Sequence, residues 1–161
     1  MVEWIDWEKT DTLFEWGPGT GSFTSLILER KPDRCRYVAM EINPDLCAIL
    51  TERFPGIEIR QESVASVARI CESECIEQVD CVVCGLPWAS FSDAMQDEFL
   101  DAMMCVLRKG GQFTTFAYLH GLTVPAGQHF RRKLHRYFST VSRSEVVWLN
   151  LPPAFVYRCV R

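Results

Sequence analysis

The sequence lacks long apolar runs, and it lacks the marks of a secreted chain. No stretch of the 161 residues approaches the roughly 18 consecutive apolar residues that suggest a membrane span. The opening residues Met1–Glu8 carry acids and no basic run, so they do not resemble a signal peptide. Linkers, internal repeats and low-complexity tracts are also missing. With 48% hydrophobic and 24% charged residues, the composition favours one cytoplasmic globular domain over residues 1–161.

Cysteine is plentiful, with eight residues, yet its placement does not indicate disulfides or a metal. Several cysteines lie inside apolar runs of a chain without a secretion signal, which is typical of reduced thiols that fill a core. Cys71, Cys75, Cys81 and Cys84 could be drawn as a zinc site. Cys81 and Cys84, however, fall in a predicted strand, where positions three apart point to opposite faces. We therefore predict no bound metal.

Acidic residues are almost absent from the last third of the chain. Residues 102–161 hold 9 Lys and Arg against the single acid Glu145, whereas residues 1–101 hold 8 Lys and Arg against 20 Asp and Glu. Such a split suggests that one end of the molecule meets an anion. A solvated basic helix face is the alternative explanation.

Apolar segments and helical patterns alternate along the chain, which predicts an α/β fold. The predicted strands are Thr12–Trp16, Arg36–Ile42, Ile57–Arg60, Val79–Cys84, Gln112–Tyr118, Thr140–Leu149 and Ala154–Val160. The predicted helices are Gly21–Arg30, Pro44–Phe54 with Asn43 as its N-cap, Val64–Glu72, Asp93–Leu107 ended by Lys109–Gly111, and His129–Phe138. We expect a seven-stranded, mostly parallel sheet with helices on both faces. Only Asn150–Pro153 join the last two strands, so these are expected to form an antiparallel hairpin.

The segment Glu15–Gly21 leaves the first predicted strand and enters the first predicted helix. Its glycines let the backbone turn tightly and approach a ligand closely. These glycines are at positions 17, 19 and 21 and do not match the G-x-G-x-x-G pattern of dinucleotide sites. The acid Glu15 lies two residues before the first glycine. This spacing suits a ligand with a sugar and an amino-acid tail better than a pyrophosphate.

Glu41 ends the second predicted strand, 22 residues after Gly19. A carboxylate at this point can accept both hydroxyls of a ribose, as the acid of nucleotide-binding folds does. A surface acid at a strand end is the alternative. Together, the glycine turn and Glu41 resemble the cofactor site of class I S-adenosylmethionine-dependent methyltransferases, which have a Rossmann-like fold.

That resemblance implies S-adenosylmethionine as the cofactor and a set of residues that contact it. The methionine part would be held by Glu15 and by the loop of Gly17, Pro18, Gly19, Thr20 and Gly21. Glu41 would hold the ribose, with Ile42 beside it. Glu62 and Ser63 follow the third strand, where the family shows an acid near the adenine, although more often Asp. Gly85 and Leu86, after the fourth strand, complete the expected cofactor residues.

The tetrapeptide Gly85-Leu86-Pro87-Trp88 lies where substrates bind in open α/β sheets. It resembles the N-L-P-Y element of methyltransferases that act on base amines, in which Asn holds the amine. Gly85 replaces that Asn, so side-chain recognition of an exocyclic amine is missing. The ring of Trp88 could face a methylated ammonium through cation–π attraction, or Pro87 and Trp88 could simply end the strand and pack.

The tract from Gly85 to the end resembles the bacterial phospholipid N-methyltransferase family more specifically. The resemblance rests on Gly85–Pro87, the Phe-Ala-Tyr-Leu-His-Gly segment 116–121, and above all the closing Asn150-Leu151-Pro152-Pro153-Ala154. Earlier elements in the same order are Glu41–Pro44 and Phe54–Gly56. The resemblance implies methylation of a headgroup amine, such as that of phosphatidylethanolamine, and a chain that contacts the inner membrane face.

Polar candidates for the chemistry lie at the end of the fifth strand and on the basic helix. Tyr118 and His120 would orient the amine or relay its proton, together with the aromatic residue Trp88 and Pro87. Arg131, Arg132, Lys133 and Arg136 would meet a substrate phosphate or an anionic membrane. The same helix could equally meet RNA phosphates or be a solvated outer face.

Four functions remain open from the sequence. A phospholipid N-methyltransferase is the leading one, and an RNA or DNA adenine N-methyltransferase is the runner-up. A small-molecule amine methyltransferase and a catalytically silent cofactor-binding module are the others. The family carries a capping stretch before the first strand, whereas this chain starts about ten residues before it. Either the chain is a fragment, or it works without that cap.

Overall fold

The computed structural model describes all of residues 1–161 and contains one sheet of seven strands in the order β3-β2-β1-β4-β5-β7-β6. The strands are β1 Thr12–Trp16, β2 Arg36–Met40, β3 Glu58–Arg60, β4 Val79–Cys84, β5 Leu107–Tyr118, β6 Thr140–Arg143 and β7 Ala154–Val160. The helices are α1 Thr24–Arg30, α2 Pro44–Arg53, α3 Val67–Ser73, α4 Asp93–Val106 and α5 Pro125–Tyr137. No helix is long and apolar enough to cross a bilayer.

The strand directions confirm the predicted fold class. Strands β1 to β5 pair in parallel, while β7 runs antiparallel to both β5 and β6. Parallel pairing requires a crossover between successive strands, and α1 to α4 provide these crossovers. All carboxyl ends of the parallel strands therefore meet at one edge of the sheet.

The core lies on both faces of the sheet, and β4 shows why. Val82 and Cys84 pack into the larger apolar cluster with side chains of α3, α4 and α5. Cys81 and Val83 point the other way, into a smaller cluster that includes Ile27 of α1. A strand that is buried on both faces reads as a continuous apolar run. Cys81 and Cys84 lie on opposite faces, as their spacing predicts.

Several helices begin at a different residue from the one predicted, because glycine turns and prolines set where a helix can start. Helix α1 begins at Thr24 rather than Gly21, since the glycines before it hold left-handed backbone angles. Helix α5 begins at Pro125 rather than His129, because proline suits the first turn of a helix. The Asn43 side chain caps α2 as predicted, accepting bonds from the backbone N–H groups of Asp45 (2.9 Å) and Leu46 (3.4 Å).

The Lys109–Gly111 segment belongs to β5 and does not end α4, which stops at Val106. Val79 pairs with Leu107, but the next paired residue, Cys81, pairs with Gln112, so β5 carries extra residues there. The N–H of Gly110 and the carbonyl of Gly111 bond instead to Arg161. The glycines therefore allow a bulge in a strand.

Strand β6 is shorter than predicted. It ends at Arg143, and residues 144–153 form a loop before β7. One isolated bridge, between Val147 and Ala154, closes this loop. Pro152 and Pro153 cannot donate to a strand ladder, which explains why β7 begins only at Ala154. The antiparallel pairing of β6 and β7 is confirmed, but the connection is longer than Asn150–Pro153.

The edge strand β3 is flanked by a network of opposite charges. Arg36 Nη2 lies 3.0 Å from carboxylate oxygens of both Glu58 and Glu74. Arg60 Nη2 contacts the same two carboxylates at 2.7 and 2.6 Å. Because four charges alternate in sign, the network stabilises more than an isolated surface pair does.

Candidate active site

A cleft of about 570 Å³ opens at the carboxyl edge of the sheet. One wall is the turn after β1, and the other is the start of β7 with the loop before it. Its lining includes Gly17, Pro18, Gly19, Thr20, Gly85, Phe116, Tyr118, Val147, Asn150 and Phe155. The carboxyl edge of an open α/β sheet is where such folds bind ligands.

The glycine turn after β1 depends on left-handed backbone angles. Gly17, Gly19 and Gly21 have φ values of +64°, +59° and +88°. Gly21 also allows a close approach, since a Cβ there would clash with the ring of Phe54, just beyond α2. The turn thus packs against the end of α2 while its other residues face the cleft.

We expect Gly21→Ala to lower the free energy of unfolding by about 2 kcal/mol more than Gly56→Ala does. Gly56 has nearly the same φ, +87°, but a Cβ at this position would meet no atom within 4 Å. The two variants share the backbone strain, so their difference isolates the clash with Phe54. Urea unfolding followed by circular dichroism measures both. Equal losses of unfolding free energy in the two variants would show that the Phe54 ring moves aside without an energetic cost.

Glu41 is buried beside the turn and is held by backbone donors. Its Oε2 accepts from the N–H of Gly19 at 3.2 Å, and its Oε1 accepts from the N–H of Asn43 at 3.0 Å. Each carboxylate oxygen retains a second lone pair for another donor. The carboxylate can therefore fix the turn and still accept hydroxyl groups from a ligand.

Glu15 lies beneath the turn with no exposed surface. Its Oε2 accepts bonds from the Thr24 hydroxyl (2.8 Å) and the Tyr37 hydroxyl (2.5 Å), while its Oε1 has no partner. Burial raises the pKa of the Glu15 carboxyl to about 7, although the two hydroxyl donors oppose that shift. The unpartnered Oε1 is the atom of Glu15 that could accept a bond from a ligand or water.

Glu62 and Ser63 lie at the same sheet edge but not on the cleft lining. Glu62 is engaged by Arg69, and the Ser63 hydroxyl accepts from the N–H of Ala65 at 3.3 Å, capping a short helical turn. Ile42, next to Glu41, is exposed. The structure therefore brings Glu41 and the glycine turn together, whereas Glu62 and Ser63 are occupied by local contacts.

Gly85 is needed because the turn after β1 crosses directly over it. Its N–H donates to the Trp16 carbonyl at 2.7 Å, and a Cβ on Gly85 would lie 2.5 Å from the Gly17 carbonyl oxygen. Leu86 packs over Gly17 from the other side. No side chain fits at position 85 unless the turn moves, which explains why an Asn cannot occupy it here.

A second chamber of about 230 Å³ adjoins the cleft, and Phe116 and Tyr118 line both. Its remaining walls include Pro87, Trp88, His120, Phe130 and Tyr157. Tyr118 ends β5 and His120 follows two residues later, with parallel rings whose centroids are 5.6 Å apart. Tyr118 therefore stands between the cleft and the aromatic chamber, and His120 lies beside it on the chamber wall.

Trp88 is 3% exposed and is stacked in parallel on Phe130, with ring centroids 4.5 Å apart. Its Nε1 donates to the Thr115 hydroxyl at 3.2 Å. One indole face is therefore covered, which fits the packing interpretation of Trp88 better than an open cation–π face.

Tyr157 is a chamber residue that the sequence interpretation missed. It is 2% exposed, and its hydroxyl has no hydrogen-bond partner. A buried tyrosine hydroxyl normally finds a partner, so this unpaired one on the chamber wall is free to bond to a ligand or a water molecule. The only signal in the sequence was its position three residues after the Asn150–Ala154 motif.

The structure corrects the prediction for Lys133. Its side chain is 10% exposed, and its Nζ bonds to Asp93 and Asp97 carboxylate oxygens, both at 2.9 Å. Lys133 therefore ties α5 to α4 and is not free to meet a phosphate. Arg131, Arg132 and Arg136 are exposed and have no carboxylate partner within 4.0 Å.

Comparisons with known proteins agree with this geometry. A family described as "Methyltransferase domain" matches residues 14–111. An ornithine lipid N-methyltransferase of Singulisphaera acidiphila is 31% identical over 96% of this chain and 78% of its own length. Among solved structures, an O-methyltransferase from Bacillus cereus superimposes with a TM-score of 0.74 at 15% identity, covering 96% of this chain and 76% of that one. Aeropyrum pernix fibrillarin, solved with natively bound S-adenosyl-L-methionine, gives 0.69 at 16% identity, covering 98% and 70%.

Proposed function

Since this chain belongs to the methyltransferase domain family and is an S-adenosylmethionine-dependent enzyme, we propose that it methylates an amine of a lipid headgroup. The observation that carries the proposal is the match, over 96% of this chain, to a protein named as an ornithine lipid N-methyltransferase. The aromatic chamber beside the cleft supports it, because an amine can be excluded from water there.

The cleft residues fit S-adenosylmethionine. The cleft volume of about 570 Å³ lies within the range of about 300–1,000 Å³ that is common for small-molecule sites. We assign the ribose hydroxyls to the free lone pairs of Glu41 and the methionine part to the turn of Gly17–Gly21 above Glu15. Gly85 and Leu86 would support the cofactor from the opposite side. Ile42 would cover the adenine, with Glu62 and Ser63 further along that edge.

The bound cofactor supplies a methyl group on a sulfonium, which is already a strong electrophile. The protein has to present a neutral amine lone pair in line with that methyl group and to keep water out. Tyr118 lines both the cleft and the chamber and His120 lines the chamber, so we assign them the orientation of the amine. The unpaired Tyr157 hydroxyl offers a third polar contact. His120 or water would accept the amine proton.

Methylation of adenine in RNA is the competing function. Base-specific enzymes of that kind hold the exocyclic amine with a side-chain amide after the fourth strand, and this chain has Gly85 there with no room for a side chain. The exposed Arg131, Arg132 and Arg136 suit phosphates of either lipid or RNA. The choice between these substrates therefore needs a direct measurement.

The test is methyl transfer from labelled S-adenosylmethionine to three substrates in parallel. These are vesicles that contain ornithine lipid, vesicles of phosphatidylethanolamine, and a structured RNA. A Glu41→Gln variant is the control for label that does not depend on cofactor binding. We expect the labelled methyl group to appear on a lipid amine. Comparison of the ornithine lipid vesicles with the phosphatidylethanolamine vesicles then identifies which headgroup is methylated.

Label in RNA alone would overturn the lipid proposal. Binding of the cofactor without transfer to any of the three substrates would also count against it, and would favour a small-molecule amine or a silent module. Because cofactor binding is measured separately by calorimetry, a failure of transfer is not confused with a failure to bind S-adenosylmethionine.

A further inference from the structure

The loop between β6 and β7 exposes large apolar side chains that a water-facing surface normally hides. Trp148, Leu149 and Leu151 are 68%, 97% and 91% exposed. No charged residue occurs from Val146 to Tyr157. An exposed cluster of this kind marks an interaction site rather than a random surface residue.

The backbone holds this loop in a defined turn. The N–H of Val147 donates to the Ala154 carbonyl at 2.7 Å, and the N–H of Asn150 donates to the Val147 carbonyl at 3.3 Å. The Asn150 side-chain amide donates to the Pro152 carbonyl at 2.6 Å. Leu149 and Leu151 are thus presented outward by a hydrogen-bonded turn, which lowers the entropic cost of inserting them elsewhere.

The loop lies at the mouth of the cleft. Ala154, where β7 begins, pairs with Tyr118, the last residue of β5, so the loop sits at the carboxyl edge of the sheet. Val147 and Asn150 line the cleft itself. Ile42, another large apolar side chain that is more than half exposed, follows β2 at the same edge. Apolar exposure and access to the cleft therefore share one side of the molecule.

Positive charge lies behind the loop. Arg143 ends β6 with its guanidinium 5.7 Å from the centre of the Phe155 ring. Burial raises the pKa of the Tyr157 hydroxyl, and the nearby charges of Arg131 and Arg143 oppose that shift. Glu145 is the only acid in residues 102–161. An apolar tip backed by arginines complements the interface of an anionic bilayer.

We propose that the Val147–Leu151 loop inserts into the headgroup region of an anionic lipid bilayer, so that the cleft opens onto the membrane plane. This inference rests on the proposed lipid substrate. A lipid amine then reaches the chamber without leaving the bilayer entirely, because Val147 and Asn150 belong both to the loop and to the cleft wall.

The test compares three proteins: the unchanged chain, a Leu149→Asn/Leu151→Asn variant, and a Met95→Gln control. Met95 is an exposed apolar residue on α4 that belongs neither to the loop nor to the lining of the cleft or the chamber. Flotation with vesicles of phosphatidylethanolamine and phosphatidylglycerol measures partitioning. We expect the double variant to partition at least about tenfold more weakly and the control to be unchanged. Calorimetry with S-adenosylmethionine should give equal affinities, since neither leucine lines the cleft.

Fluorescence tests the depth of insertion. Trp16 and Trp88 are buried, Trp4 and Trp7 are partly buried, and Trp148 is the most exposed of the five tryptophans. A blue shift on vesicle binding is therefore assigned to Trp148 by its loss in Trp148→Phe. Acyl chains brominated near the headgroup should quench this emission, and Trp148→Phe should remove both effects. Equal flotation of the double variant, or quenching that survives Trp148→Phe, would overturn the proposal.

Methyl transfer separates this inference from the proposed function. With a short-chain lipid amine dispersed as monomers, the double variant should keep its activity and lose it only on bilayers. If the unchanged chain binds vesicles through the loop but methylates no lipid, the proposed function fails and the inference stands. If it methylates bilayer lipid equally well without Leu149 and Leu151, the inference fails and the function stands.

Discussion

Replacing Glu41 with Gln is expected to weaken the binding of S-adenosylmethionine about 100-fold, which corresponds to about 2.7 kcal/mol. A hydrogen bond to a charged group contributes about 1.5–3 kcal/mol, and the ribose hydroxyls would donate to this carboxylate. The carboxylate also accepts from the N–H groups of Gly19 and Asn43, and an amide has only one oxygen to offer them. Titration calorimetry measures the loss.

The matched control is Glu52→Gln on α2. Glu52 is exposed and has no side-chain hydrogen bond or ion pair, so its replacement should leave the affinity unchanged. Thermal unfolding of both variants checks that the fold is retained. An affinity for Glu41→Gln within twofold of the original would remove Glu41 from the ribose site.

The stability of the unchanged chain is expected to fall as the pH rises from about 5 to about 7, and Glu15 is the group responsible. Burial raises the pKa of this carboxyl from its ordinary value of 4.5 to about 7. Between these two values the folded state keeps a proton that the unfolded state has released. The contribution of Glu15 to stability is therefore fully present below pH 4.5 and is lost as the pH rises through 7. A shift of this size corresponds to about 3 kcal/mol.

The Glu15→Gln variant removes the titrating group and keeps the shape of the side chain. Urea unfolding at several pH values between 5 and 8 should give a flatter pH dependence for the variant, and the difference between the two proteins cancels the contribution of the histidines. Parallel curves would mean that Glu15 stays ionised in the folded protein.

The succession of strands and helices along the chain and the position of the glycine turn were predictable, because each depends on residues close together in sequence. The apolar run Val79–Cys84 is typical of a strand buried on both faces, and the turn after Trp16 has glycine at its positive φ angles. The prediction of β6 extended too far because Val146–Leu149 is a continuous apolar run. In the structure Val147, Trp148 and Leu149 are exposed, so this run has little to pack against.

The parts of the site that were not predictable depend on contacts between distant segments. Lys133 lies in a basic run, yet its partners Asp93 and Asp97 are on another helix. Trp88 is covered by Phe130, which is far along the chain. The absence of a partner for the Tyr157 hydroxyl is a property of the folded chamber and leaves no mark in the sequence.

The two edge strands of the sheet are short, and this affects how the protein behaves in concentrated solution. β3 and β6, of three and four residues, form the two edges of the sheet. Long uncovered edges recruit further strands from neighbouring molecules, but short edges beside charged side chains such as Arg36 and Glu58 offer a poor template. Backbone-driven aggregation into extended sheets is thereby suppressed. Crowded molecules are expected to adhere instead through the apolar turn at Leu149 and Leu151, an association that mild detergent reverses.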